Sequence, residues 1–119
     1  MHRVFTVELV GKNRLCCELA LPAAPYQLLG ALDKLKMSPG DKPSWEICEY
    51  HDFEYLAPFL DGAGSLYELN ALSGRLAELD DRASTAFQGL LQMESNKRDG
   101  GILILRLIDL AYSTDCCHV

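Results

Sequence analysis

Apolar and polar residues alternate from Arg3 to Val10, with Phe5, Val7 and Leu9 on one side and Val4, Thr6, Glu8 and Val10 on the other. A period of two predicts a β-strand whose core face is Phe5, Val7 and Leu9. Gly11-Lys12-Asn13 is a turn signal. Arg14 to Leu21 then alternates again, sending Leu15, Cys17, Leu19 and Leu21 inward, so the two strands should form a hairpin. Pro22 and Pro25 end the second strand, and Pro25 suits the first turn of a helix. Leu28, Leu29, Leu32 and Leu35 follow at helical spacing between Tyr26 and Met37. After a turn at Ser38-Pro39-Gly40-Asp41, Ser44 to Tyr50 reads as a short strand. Trp45, Ile47 and Glu49 fall on one side of it, and Glu46, Cys48 and Tyr50 on the other.

The second half has a helical period. Phe53 to Leu60 is aromatic-rich and interrupted by Pro58, which leaves room for one short helical turn. Asp61-Gly62-Ala63-Gly64 is a hinge-like break. Ser65-Leu66-Tyr67-Glu68 is a capping box, opening a helix to about Leu79 with the stripe Leu66, Leu69, Leu72, Leu76 and Leu79. Asp80 or Asp81 caps a further helix, about Arg82 to Glu94, that buries Ala83, Ala86, Phe87, Leu90 and Leu91. The polar stretch from Asn96 to Gly101 is a loop, followed by a short extended entry and a last helix through Leu107, Ile108, Leu110 and Ala111. The expected fold class is α+β: a small antiparallel sheet of about three strands packed by a helix, then a helical segment. The expected domains are an α+β subdomain over 1–60 and a mainly helical one over 61–119. The Cys116-Cys117-His118-Val119 ending is not tail-like, and suggests a chain truncated at its C-terminus.

With 119 residues, about half of them hydrophobic, the chain can bury one core. No apolar run approaches the ~20 residues of a membrane span, and Glu8 stands where a signal peptide would be apolar. A cytoplasmic location is expected. Five cysteines, at 16, 17, 48, 116 and 117, form an odd set with two vicinal pairs, so reduced thiols are expected rather than a disulfide framework.

Charge changes the picture more. The net charge is −6, and the stretch from Glu46 to Asp81 holds nine acids against one base, Arg75. The acids are Glu46, Glu49, Asp52, Glu54, Asp61, Glu68, Glu78, Asp80 and Asp81, and together they are the candidate partner-binding surface. Such a field repels nucleic acid and attracts basic surfaces. Tyr50, Phe53, Tyr55, Phe59 and Tyr67 add aromatic area beside it, as a partner surface or as core.

Nothing in the sequence supports a catalytic role. His51 has carboxylates close by in sequence, but no nucleophile and base are paired by spacing. Consecutive residues such as Cys116, Cys117 and His118 diverge, and zinc sites use spaced pairs. Gly62 and Gly64 precede a helix without the Lys of a phosphate loop. No metal and no cofactor are expected, and neither direct nucleic-acid binding nor membrane binding.

The run from Ser65 to Leu91 resembles the middle region of ArdA-type antirestriction proteins. It carries their "ELN-LA-RL-EL-D … AFQG" pattern in Glu68, Leu69, Asn70, Leu72, Arg75, Leu76, Leu79, Asp80, Phe87, Gln88 and Gly89, with His51-Asp-Phe-Glu-Tyr-Leu56 at a compatible place upstream. The good match covers about a quarter of the chain. The resemblance implies DNA mimicry: acidic dimers place carboxylates where DNA phosphates would lie and so block type I restriction–modification enzymes. It implies a protein partner with a basic DNA-binding surface, and a homodimer as the candidate assembly. The competing reading is a protein–protein interaction or regulatory module of a mobile genetic element, without DNA mimicry.

Overall fold

The computed structural model describes residues 3–11, 14–38, 40–60, 64–96 and 102–114. Strand β1 (Phe5–Val10) pairs antiparallel with β2 (Cys16–Leu21) on one side and with β3 (Ser44–Tyr50) on the other, in the order β2-β1-β3. Helix α1 (Pro25–Lys34) joins β2 to β3. A single 3-10 turn (Glu54–Leu56) leads to helices α2 (Leu66–Glu78), α3 (Asp81–Ser95) and α4 (Ile104–Ser113). The fold is α+β, with a three-stranded antiparallel sheet, as the alternation and the leucine spacing predict. Among the described residues, no helix is long and apolar enough to cross a membrane.

The hairpin keeps a regular register, from Phe5 opposite Leu21 to Val10 opposite Cys16. Phe5, Val7 and Leu9 are fully buried, so β1 puts its predicted face into the core. The corresponding positions of β2 enter the interior progressively. Leu15 is exposed before the strand begins, Cys17 and Leu19 are half-buried, and Leu21 is fully buried.

β3 departs from simple alternation. Val7 pairs with Ile47 but Thr6 pairs with Glu49, so Cys48 is an extra residue opposite β1, a β-bulge. The bulge resets the parity. Trp45, Ile47 and Tyr50 pack on the core, in place of the expected set of Trp45, Ile47 and Glu49. Regular pairing would have turned the Glu49 carboxylate inward, at a desolvation cost that the bulge avoids.

Helix α1 is shorter than its leucine spacing predicts. Pro25 occupies its first turn, and Gln27 Oε1 accepts the Ala24 N–H at 2.8 Å. Leu28, Ala31, Leu32 and Leu35 are buried, while Leu29 is exposed, because one helix has a single face to bury and Ala31 takes that flank. The helix stops at a left-handed Lys36 (φ 58°), with the Met37 N–H bonding to Leu32 O and the Lys36 N–H to Asp33 O. This is a Schellman cap built without glycine. Just beyond it the chain closes on Gly11: a Cβ there would lie 2.8 Å from Leu35 Cβ and 3.0 Å from the Leu35 carbonyl oxygen.

The helices share one core with the sheet. Val4, Phe5, Leu9, Leu35, Leu56, Leu69, Leu76, Phe87, Ile102 and Leu107 belong to a single buried cluster. Each fully buried Leu or Phe contributes roughly 1.5–3 kcal/mol relative to exposure. Asn70 of α2 clamps the chain between β2 and α1, accepting the Ala23 N–H at 2.7 Å and donating to Ala23 O at 3.1 Å. Ser65 caps α2 by accepting from the Glu68 N–H, and Asp80 caps α3 by accepting from the Ala83 N–H at 2.7 Å. Ile102 is the extended entry to α4, bridging in parallel to Leu60.

Candidate protein-binding surface

One face of the sheet is buried and the other is open. The open face is built by the residues that alternate with the core set, and its centre is acidic. Glu8 in β1 lies directly opposite Glu18 in β2 and directly opposite Glu46 in β3. All three are exposed. Neighbouring strands sit ~4.8 Å apart, so the backbone positions of the three glutamates form a row across the sheet at that spacing. Like charges placed directly opposite each other are destabilising by up to about 1 kcal/mol per pair. Folding alone gives no reason for such a row.

The nine acids read from the sequence are distributed over several elements. Glu46 and Glu49 lie on β3, Glu46 in the row and Glu49 beside Thr6. Asp52 and Glu54 flank Phe53, where Asp52 Oδ1 accepts the Phe53 N–H at 2.8 Å. Glu68 sits in the first turn of α2, half-buried. Glu78 pairs with Arg75 at 3.5 Å, and Asp80 and Asp81 begin α3. Asp61 lies outside the described residues, as do Gly62, His2 and the Cys116-Cys117-His118 cluster. The structure thus joins Glu46 to Glu8 and Glu18, two acids that a count of charge along the chain overlooks. The alternation marks both as outward positions of their strands, but the turn signal alone misses the pairing: a loop of three residues after Val10 would set Glu8 opposite Cys16, whereas Val10 pairs with Cys16 and Glu8 with Glu18.

At the β3 end of the face, Cys48 Sγ contacts Thr6 O at 3.3 Å. Partial desolvation pushes its thiol up, and the Glu18, Glu8 and Glu49 carboxylates push the same way. That disfavours the thiolate at Cys48. His51 Nε2 meets Thr6 Oγ1 at 2.7 Å and Glu49 Oε2 at 3.7 Å. Both partners address the same ring nitrogen, so Glu49 cannot orient the imidazole from behind while Thr6 is activated, as a relay would require. Cys16 is exposed, whereas Cys17 turns toward the Ala31 carbonyl. Vicinal strand residues diverge. Among the described residues no three His, Cys, Asp or Glu side chains converge to hold a metal ion.

The aromatic residues near the acids are mostly structural. Phe53 is buried against Phe87 at 6.1 Å between ring centroids, with Tyr55 tilted over the pair. Tyr50 and Phe59 pack on the core, and Tyr67 is 40% exposed. Burial, with the Asp52 charge second, pushes the Tyr55 hydroxyl up to about 12.

A second site-like feature is a cavity of about 380 Å³ between Lys42–Trp45 and the start of α2, where Trp45 Nε1 donates to Gly64 O at 2.8 Å. Glu68 also lines it, which opposes an anionic ligand. An ion pair joins α3 to α4, which the sequence reading missed. Glu94 is buried and accepts both Arg106 Nε and Nη2 at 3.1 Å. Its place seven residues after Phe87, on the apolar stripe, was the available sign. In comparisons with family models, with curated proteins and with solved structures, nothing matches this chain.

Proposed function

We propose that this chain is an acidic protein-interaction module that presents the open face of its sheet to a basic surface on a protein partner. The observation that carries the reading is the Glu18–Glu8–Glu46 row: like charges held opposite one another by strand register, with no basic residue interleaved between them. Each carboxylate acts as a fixed negative charge, and no proton transfer is involved. Glu49, on β3 beside Thr6, shares the open face, and Asp52, Glu54, Glu68, Glu78, Asp80 and Asp81 add negative charge from other elements rather than acting as separate sites.

A narrower reading is DNA mimicry against type I restriction–modification enzymes in the cytoplasm of a bacterial host. One observation favours it beside the resemblance of Ser65–Leu91. The ~4.8 Å spacing of the row is of the order of the 3.4 Å axial rise per phosphate on one DNA strand. A groove lined with Lys and Arg for phosphate contacts can pair with the carboxylates of such a row instead, and that pairing weakens as salt rises. The test is competition between this chain and duplex DNA for a type I restriction–modification enzyme, at low and at moderate salt. Mimicry predicts displacement of DNA by the wild type, weakened by salt and by Gln substitutions in the row. Failure to displace DNA at low salt, with binding to other basic proteins retained, leaves the interaction module and removes the mimic.

A further inference from the structure

The two edges of the sheet are unequal. On β3 the bulge at Cys48 breaks the spacing of main-chain groups, which blunts that edge. On β2 the register is unbroken through six residues, Cys16 to Leu21, and the segment contains neither Pro nor Lys. No described strand pairs with its outer side. A regular edge with free N–H and C=O groups is a template for another strand.

Beside that edge lies a groove of about 260 Å³. Glu18 and Leu19 of β2 form one wall, and Tyr26, Gly30, Ala31 and Lys34 of α1 form the other. Tyr26 is 75% exposed at its mouth. Gly30 leaves its floor open, since a Cβ there would have no atom within 4 Å. Edge and groove together fit an extended segment. Main-chain bonds would run along β2, and alternate side chains would drop toward Leu19, Ala31 and Gly30.

We infer that β2 accepts an extended peptide as a fourth strand, and that the peptide alternates apolar with basic residues. The alternation follows from strand geometry. Residues on the α1 side meet the groove and should be apolar. A residue opposite Glu18 prolongs the Glu46–Glu8–Glu18 row by one strand, where Lys or Arg gains a cross-strand ion pair. The same charge argument disfavours a second copy of this chain as the occupant, because edge-to-edge pairing of two β2 strands would bring two carboxylate rows together. The inference rests on the proposed acidic face for the partner's charge, but not for the strand pairing.

The test uses the full chain and three labelled peptides: one alternating Lys with Val and Thr, one of the same composition with its Lys residues in a block, and one alternating Glu with Val and Thr. Binding is followed by fluorescence anisotropy and by amide shifts in the nuclear magnetic resonance spectrum. The alternating basic peptide should bind and shift the β2 amides, and the blocked peptide should bind about tenfold more weakly or worse. The variant Gly30→Leu fills the groove while leaving every residue of the acidic row in place, and Leu is the better helix former. It should melt no lower than the wild type and lose about tenfold in peptide affinity. Equal binding of the alternating and blocked peptides, unchanged affinity of a folded Gly30→Leu, or dimerisation of the chain through β2 would each overturn the inference. If the wild type displaces DNA from the restriction enzyme yet binds no alternating peptide, the edge inference fails and the acidic-face reading stands. Peptide binding through β2 without DNA displacement supports the edge and fails the mimic.

Discussion

The ring of Tyr50 meets the ring of Phe5 edge-on, with centroids 5.5 Å apart and planes at 84°. This contact exists because Cys48 bulges out of β3 and lets Tyr50, rather than Glu49, face the core. Deleting Cys48 would give a β3 that alternates without a bulge: Trp45, Ile47 and Tyr50 inward, Glu46 and Glu49 outward. The deletion variant should unfold cooperatively and keep the Phe5–Tyr50 contact. Its second regular edge should increase self-association, read by light scattering as concentration rises. Loss of folding in that variant would show that the bulge does more than reset parity.

Two glycines should respond in opposite directions to alanine. At Gly11 a Cβ would press on Leu35 Cβ and on the Leu35 carbonyl, backbone that cannot yield cheaply. Gly11→Ala should therefore lose about 1–3 kcal/mol. Gly30 lies in α1 with open space around it, so Gly30→Ala should gain about 0.5–1 kcal/mol from helix propensity. Urea unfolding of the pair checks both signs.

Tyr55 predicts a loss of stability in alkali. Its hydroxyl ionises near 12 in the folded chain and near 10.0 when unfolded. Above pH 10 the unfolded state therefore releases a proton that the native state retains. The stabilisation is complete below pH 10 and is lost as pH rises toward 12. Tyr50 and Cys17, both pushed up chiefly by burial, act with the same sign. Tyr55→Phe should flatten the decline between pH 10 and 12 without abolishing it.

The carboxylate row should be retained at a cost in stability. Glu8 is its middle member and faces a like charge on both sides. Glu8→Gln should raise stability by about 0.5 kcal/mol at low salt, with a smaller gain at high salt. A fall in the midpoint of unfolding would mean that the row has stabilising partners.

Much of the fold was legible because it depends on local period. Phe5, Val7 and Leu9 declared β1, and Leu66, Leu69, Leu72 and Leu76 declared α2. Ser65 and Asp80 marked the helix starts that their side chains do cap. Features set by pairing between distant segments were not legible. The Cys48 bulge depends on what β1 presents to β3, and the Glu94–Arg106 pair depends on how α3 meets α4. The acidic surface was read as a stretch of chain, whereas strand register makes it a row that crosses three strands. Glu46 belongs to it from the predicted stretch, and Glu8 and Glu18 enter from outside.

The central claim is that this row binds a basic protein surface. Its most direct test is the concentration of chain needed to displace duplex DNA from a type I restriction–modification enzyme at low salt, compared between the wild type and the triple variant Glu8→Gln, Glu18→Gln, Glu46→Gln. The account predicts displacement by the wild type and an increase of about tenfold or more in the concentration the triple variant needs, as expected for losing three phosphate-like contacts. Equal displacement by the two proteins, with both folded, would contradict it.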